Sequence, residues 1–391
     1  MPHAWNILGL SDYEIKDIEG QNPMRVRARY TGPSRCPHCQ GASLRIKDSF
    51  IRRVRHEDWG VRHCWLDLEA HKFHCRTCGR YFNQRFPGIM PRRRNTEAFR
   101  RGVYLKHLDG IDRQTLARRE RIAPATVERW FHNFLERAVS ERQDAPCPRV
   151  LGIDEHFFSR KKGFATTFCD LEHHRVYDVT LGRSEAALEP YLRGLKGREQ
   201  VRVVCMDLSD TYRSIIQRYF PNALIVADRF HVIRLINHQF LNLWRLLDPS
   251  GSRNRGLLSL MRRHYHNLKA EQAQRLTAYL QTIPALKIIY DFKQRLTNLL
   301  LLKHRTARQC RQLIPSWLEH LRELAYSNFP LLAQLGRTLS SWSEEIVRMW
   351  RFTKSNGITE GFHTKMEMIS RRAFGFRNFD NYRQRVRVMC A

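Results

Sequence analysis

Three short apolar runs, each closed by an acid, organise the middle of the chain: VLGID (residues 150–154), VRVVCMD (201–207) and ALIVAD (223–228). Runs this short, bounded by polar residues, read as buried strands, because a helix of the same character would run to ten residues or more. Phe164–Asp170 and Arg175–Leu181, separated by Glu172-His173-His174, join the first run in a three-stranded antiparallel meander. Ser184 then caps a helix of about ten residues. A second helix holds Tyr212–Tyr219, between the VRVVCMD and ALIVAD runs. The order βββ-α-β-α-β is that of an RNase H-like mixed sheet.

An acid at the end of a buried strand is held rigidly where the sheet meets solvent. Carboxylates gathered there repel one another unless cations neutralise them, so Asp154 and Asp207 invite divalent metal. Two such ions about 3.5–4 Å apart can activate a water or a 3′-hydroxyl and stabilise the leaving oxygen of a phosphodiester. Residues 230–340 are long, helical and rich in Leu, Arg and Gln, and separate the β-region from KSNGITEGFH (354–363). There Thr359 or Ser355 can cap a helix that returns a third carboxylate, Glu360, to the sheet edge. Glu155 is an alternative ligand, but alternation along a strand points it to the opposite face from Asp154.

The N-terminal third has a different texture. Cys36-Pro-His-Cys39 and Cys75-Arg-Thr-Cys78 are two C-x2-C pairs with 35 residues between them. Two turns offering two thiolates each close a tetrahedral zinc site, and Gly79 suits the tight turn after the second pair. His38, His63, His71 and His74 lie nearby in sequence, but four thiolates already satisfy the ion. Trp65–Phe73 reads as a strand entering the second knuckle, and the long spacing predicts a small inserted hairpin. Residues 95–135 then read as a helix-turn-helix. Asn95 or Thr96 caps the first helix, Gly110 ends it, Leu116 and Ala117 face inward from the second, and Pro124 opens the third. Val127, Trp130 and Phe131 form the buried stripe of that third helix. Residues 91–130 hold 11 Lys/Arg against 5 Asp/Glu. On this unit Thr126 and Arg129 can read base edges, while Arg118, Arg119, Arg121 and the run Arg92-Arg93-Arg94 can contact phosphate.

Charge supports a polyanionic partner. The 391 residues carry a net +30, a self-repulsion that nucleic acid would offset. The basic tail, residues 361–391, adds 7 Lys/Arg against 2 Asp/Glu, with Arg371, Arg372 and Arg377 placed to grip DNA or to form a solvated face. No apolar run approaches the roughly 18–20 residues that span a bilayer. The first residues, MPHAWNILGL, show no signal-peptide pattern, and ten cysteines without a disulfide framework suit a reducing compartment. A cytoplasmic, nucleoid-associated protein is expected.

Taken together these stretches resemble the ISL3 family of insertion-sequence transposases. The resemblance rests on the two knuckles, GIDEHFFSRKKGF (152–164), VVCMDLSDTYR (203–213), VADRFHVIRLIN (226–237) and SNGITEGFHTKMEMISRRAFGFRNFDNYRQRV (355–386), and it covers essentially the whole chain. It implies a DDE triad on Asp154, Asp207 and Glu360 that holds two Mg2+ or Mn2+ ions, and a helical insertion between the second Asp and the Glu. Asp228-Arg-Phe-His231 resembles the D-x-x-H element of several such groups, which either assists the scissile phosphate or anchors the insertion. Phe362-His363 departs from the smaller or amide residue expected after Glu-Gly. Trp342 and Trp350 either stack on an unpaired base or pack in the core. The expected fold class is a multidomain α+β/α/β chain. It comprises a zinc ribbon (1–88) on Cys36, Cys39, Cys75 and Cys78, a helix-turn-helix (89–145), an RNase H-like core (146–235), an all-α insertion (236–345), and a C-terminal core helix with basic tail (346–391). The expected partners are double-stranded DNA, as terminal inverted repeats and target, and a second copy of the chain in a dimer or larger assembly. A transposase-derived DNA-binding regulator and a structure-specific nuclease are the alternatives.

Overall fold

A computed structural model describes residues 9, 12–141, 145–353 and 356–391, which fall into two compact units, residues 1–138 and 139–391. Asp144, which opens the linker-like stretch Asp144-Ala-Pro-Cys-Pro148, and the candidate cap Ser355 lie outside the described residues.

In the first unit, β1 (Tyr13–Glu19), β2 (Met24–Tyr30), β3 (Leu44–Trp59), β4 (Arg62–Cys75) and β5 (Tyr81–Asn83) form one sheet in the order β1-β2-β4-β3, with β5 also on β4. The inserted hairpin is not small: β3 and β4 run 16 and 14 residues and turn at Gly60, whose φ is +64°. Alternation builds the core. Met24, Val26 and Ala28 of β2 and Cys64, Leu66, Leu68 and Ala70 of β4 are buried, while Arg25, Arg27 and Arg29 face water. Helices α1 (Glu97–Leu108), α2 (Arg113–Glu120) and α3 (Pro124–Ser140) follow. Thr96 caps α1 by accepting from Phe99 N–H, and Asp112 caps α2 by accepting from Thr115 N–H. Phe99, Val103, Leu116, Ala117, Val127 and Trp130 form their core. Arg55 ties the hairpin to these helices. Its guanidinium contacts Asp58 at 2.5 Å and Glu120 at 3.5 Å, and lies 4.9 Å from the Phe99 ring.

In the second unit, β6 (Val150–Ser159), β7 (Gly163–Asp170), β8 (Arg175–Leu181), β9 (Val203–Met206) and β10 (Leu224–Ala227) form a sheet in the order β10-β9-β6-β7-β8. β6, β7 and β8 are an antiparallel meander, and β9 and β10 run parallel to β6. Helices α4 (Glu185–Gly194), α5 (Asp210–Tyr219) and α6 (Arg229–Leu247) connect and cover the strands. α13 (Gly357–Arg372) and α14 (Phe379–Met389) bring Met366, Ile369, Phe379, Tyr382 and Val386 against Ala165, Cys169, Val179 and Cys205 of the sheet, in a core separate from that of α4–α6. Both faces are thus buried, which explains why the strands read as unbroken apolar runs.

The helical stretch comprises α7 (Arg255–Arg262), α8 (Ala270–Gln281), α9 (Pro284–Leu301), α10 (Ala307–Ala325), α11 (Pro330–Ser341) and α12 (Ser343–Arg348). Leu257, Leu260, Leu276 and Leu280 of α7 and α8 close a satellite core around Trp244 of α6. The later helices instead join the main core beside the sheet, through Leu296, Trp317, Leu335 and Trp350. Arg229 at the start of α6 donates to the carbonyls of Leu302 at 3.1 Å and Met349 at 2.7 Å. Trp342 and Trp350 are core residues: Trp350 is fully buried and donates to Leu299 O at 2.9 Å, and Arg213 covers the Trp342 ring. Trp350→Ala should lower the unfolding free energy of this unit by about 3–5 kcal/mol in urea titrations, and a loss under 1 kcal/mol would contradict the packing.

Candidate active site and metal centre

Parallel register sets the site. β6 pairs with β9 only up to Ile153↔Met206, and β9 with β10 up to Met206↔Ala227. The next residue on each strand is an acid, so Asp154, Asp207 and Asp228 emerge side by side at one edge. β6 itself continues past Asp154 to Ser159, because β7 still pairs with it there. Asp228 occupies the N-cap position of α6, and His231 follows one turn later. Its Nδ1 is 2.8 Å from Asp207 Oδ2, and its Nε2 is 3.8 Å from Asp228 Oδ2 and 3.9 Å from Glu360 Oε1. Glu360 sits in the first turn of α13 with its side chain half exposed. The five residues named from sequence therefore share one site, with Glu360 approaching from the solvent side.

The electrostatics are those of crowded anions. Burial raises the Asp154 carboxyl to about 7, and the neighbouring Asp207 charge adds to the rise. Asp228, wholly buried, is also raised, first by desolvation. Burial alone would lower His231, but its hydrogen bond to Asp207 and the surrounding carboxylates lift it above the ordinary imidazole value. Asp207 Oδ1 and Asp228 Oδ2 are buried, and among the described residues no group donates a hydrogen bond to them. Ligand atoms of Asp207, Asp228 and His231 lie within 4.8 Å of one another. Unsatisfied carboxylate oxygens converging this closely fit a hard divalent cation.

A second layer holds the acids in place. Asn356, fully buried, donates through Nδ2 to Ile153 O at 2.8 Å and through its N–H to Asp228 Oδ1 at 3.3 Å. It stands at the N-cap position of α13, and Thr359, expected as a cap, instead lies inside the helix and donates to Asn356 Oδ1 at 2.8 Å. Gly152 makes room for this anchor, since a Cβ there would stand 2.6 Å from Asn356 Oδ1. His363, one turn after Glu360, reaches within 3.6 Å of Asp154 Oδ2. Burial pushes both His363 and His156 down to about 4. Sequence reading passed over Asn356, His156 and Thr167, and noted His363 only as a departure; the Asn-Gly just ahead of Ile-Thr-Glu was the available signal. Glu155, facing away from the acids, pairs with Arg183 at 3.3 Å.

In the first unit, the Sγ atoms of Cys36 and Cys78 are 3.7 Å apart and those of Cys39 and Cys75 3.6 Å, with all four within 4.8 Å. Thiolates bound at about 2.3 Å on the corners of a tetrahedron are roughly 3.8 Å apart, so the pocket has the size of a zinc ion. The two knuckles share one backbone design. Gln40 and Gly79 take left-handed φ of 60° and 71°, and their N–H groups return to Cys36 O and Cys75 O at 2.9 Å. The Cys78 and Thr77 N–H groups aimed at Cys75 Sγ help hold that thiol down to about 6, ready to bind as thiolate.

Arg118, Arg119, Arg121 and Arg129 are exposed on α2, its C-cap and α3, and Thr126 is half-buried. Arg92, Arg93 and Arg94 line a groove of about 1000 Å³ together with Arg52, Arg85 and Trp65, and no carboxylate lines it. Arg371, Arg372 and Arg377 are exposed, with Arg371 paired to Glu367 at 2.6 Å. Among the described residues no helix is long and apolar enough to cross a membrane.

Comparison with known proteins agrees with this layout. Residues 151–386 match the family of ISL3 DDE transposases, described as "Transposase", and residues 32–78 match the "zinc-finger of transposase IS204/IS1001/IS1096/IS1165". The chain is 23% identical over 395 residues to the transposase for insertion sequence element IS1001 of Bordetella parapertussis, covering 97% of this chain and 96% of that one. It is also 23% identical over 404 residues to the transposase for insertion sequence element IS1557 of Mycobacterium tuberculosis, covering 94% and 89%. Native mass spectrometry should find one zinc per chain. Since structural zinc contributes about 10–16 kcal/mol, Cys75→Ser should lose the ion and unfold the N-terminal unit; an unchanged melting curve without zinc would refute the assignment.

Proposed function

Since the chain belongs to the ISL3 family of transposases, we propose that it cuts and rejoins the ends of an insertion sequence with Asp154, Asp207 and Glu360 as its catalytic triad. The observation that carries this reading is the meeting of Asp154 and Asp207 at one sheet edge, with Glu360, 206 positions after Asp154, brought to the same His231 by α13. An antiparallel meander followed by two parallel strands on its first strand supports an RNase H-like core.

Asp154, Asp207 and Glu360 would hold two Mg2+ or Mn2+ ions, with Asp228 and His231 beside them. When bound, such ions supply an activated oxygen nucleophile and charge stabilisation at the leaving oxygen. The protein's own groups do the positioning. Asp154 and Asp207 are fixed by strand register, Asp228 by its bond from Asn356, and Glu360 by the first turn of α13. His231, hydrogen-bonded to Asp207, is placed to donate to a phosphate oxygen or to orient that carboxylate. The same site serves hydrolysis, where water attacks the phosphodiester at an element end, and strand transfer, where the freed 3′-hydroxyl attacks target DNA.

DNA is held elsewhere as well. Thr126 and Arg129 are assigned to base edges, and Arg118, Arg119, Arg121 and Arg92–Arg94 to phosphates of the terminal repeats. Arg371, Arg372 and Arg377 serve the strand near the cut. Two ends must meet for joining, so a dimer or larger assembly on DNA is the working state, in the cytoplasm at the nucleoid.

Asp154→Asn, Asp207→Asn and Glu360→Gln should each reduce end cleavage in Mg2+ or Mn2+ by about 10³-fold or more, the equivalent of several kcal/mol, while repeat binding persists. Full cleavage by Asp154→Asn would overturn the triad. Arg118→Ala with Arg119→Ala should weaken binding to all sequences alike and flatten the log K against log salt slope by about 0.9 per contact. An unchanged slope in filter binding would remove them from the interface.

A further inference from the structure

Behind Asp154 runs a file of side chains that the two-ion reading leaves unused. Tyr382 OH, on α14, is 2.8 Å from His156 Nε2. His156 Nδ1 is 3.0 Å from Thr167 Oγ1, and Thr167 Oγ1 is 3.1 Å from His363 Nε2. His363 Nδ1 then faces Asp154 Oδ2 at 3.6 Å. Thr167 is fully buried and Tyr382 nearly so, and the two imidazoles are 5.1 Å apart, centre to centre.

With Asp154 ionised as a metal ligand and one proton on each imidazole, the hydrogens in this file run in one direction. A carboxylate accepts only, so the nitrogen facing Asp154 must carry the proton. In a neutral His363 ring, Nε2 is then an acceptor and takes the Thr167 hydroxyl hydrogen. Thr167 oxygen, having given its hydrogen away, accepts from His156 Nδ1–H. His156 Nε2 is left as an acceptor for Tyr382 O–H. Each group donates toward Asp154, and reversing any link would set a lone pair against the carboxylate. Asp154 Oδ1 meanwhile accepts from Glu155 N–H at 2.8 Å. A backbone N–H thus holds Oδ1, and the His363 ring stands beside Oδ2.

We propose that His363 is a positioning residue for Asp154, oriented through Thr167, His156 and Tyr382, and that this file sets the affinity of the site for its divalent cation. Partners of metal ligands commonly change metal affinity by about 10–100-fold when removed. The inference rests on the triad reading, and the experiment separates the two.

Thr167→Val keeps the shape of the side chain and removes the hydroxyl; Thr167→Ser restores it. Binding of Mn2+ alone to the full-length protein without DNA, followed by electron paramagnetic resonance, gives a dissociation constant that does not depend on turnover. The expected result is a constant raised about tenfold or more in Thr167→Val and within about twofold of the parent in Thr167→Ser. Both should melt close to the parent and bind repeat DNA equally in the absence of metal. Half-maximal Mg2+ for end cleavage should shift in parallel. A Thr167→Val protein that is folded and binds Mn2+ like the parent overturns the positioning role, even if Asp154→Asn abolishes Mn2+ binding as the triad requires. If the parent itself binds no Mn2+ at this edge, both the triad reading and this inference fall.

Discussion

Like-charge repulsion at the end of a parallel sheet is the constraint around which the second unit is organised. Strand register brings Asp154, Asp207 and Asp228 together, and burial denies Asp154 and Asp228 the water that would screen them. Two carboxylate oxygens without a donor among the described residues, a carboxyl raised to about 7 and an imidazole drawn in between carboxylates accompany that crowding. Every neighbouring element offsets it in part. α6 brings His231, α13 brings Asn356, and the cores on both faces of the sheet keep the strands from spreading.

The sheet of the second unit could be read from sequence because its apolar runs are buried where they end in acid, visible without any knowledge of pairing. Helix starts were legible at Ser184 in this unit and at Pro124 in the first. The four knuckle cysteines were equally legible, since spacing alone implies a tetrahedral pocket. What stayed hidden depended on contacts between distant segments. The 16-residue length of β3 is set by pairing with β4, not by any periodicity of its own. Asn356 looked like an ordinary turn residue next to glycine, and only the tertiary structure shows its amide bonded to a strand carbonyl 203 positions away. Thr167 and His156 gave no signal because a buried hydroxyl and a buried imidazole are common and mostly structural.

The helical stretch is divided between two cores. Rich in Leu and Arg, it reads as an all-α insertion, and the segment around Trp244, Leu260 and Leu276 has a core of its own. The remainder shares the core beside the sheet. Arg229, next in chain to Asp228, is bonded to carbonyls at Leu302 and Met349. The carboxylates are therefore braced by residues that come from well beyond the strands that carry them.

Gly152 limits the chain's tolerance of change. It carries no charge and adopts an ordinary backbone angle, so nothing in its chemistry marks it as sensitive. Yet a methyl group there would collide with both Asn356 and Leu171. The helix bearing Glu360 would have to retreat from the strand bearing Asp154. The candidate site can thus be opened from behind, with each of its acids still in place along the chain.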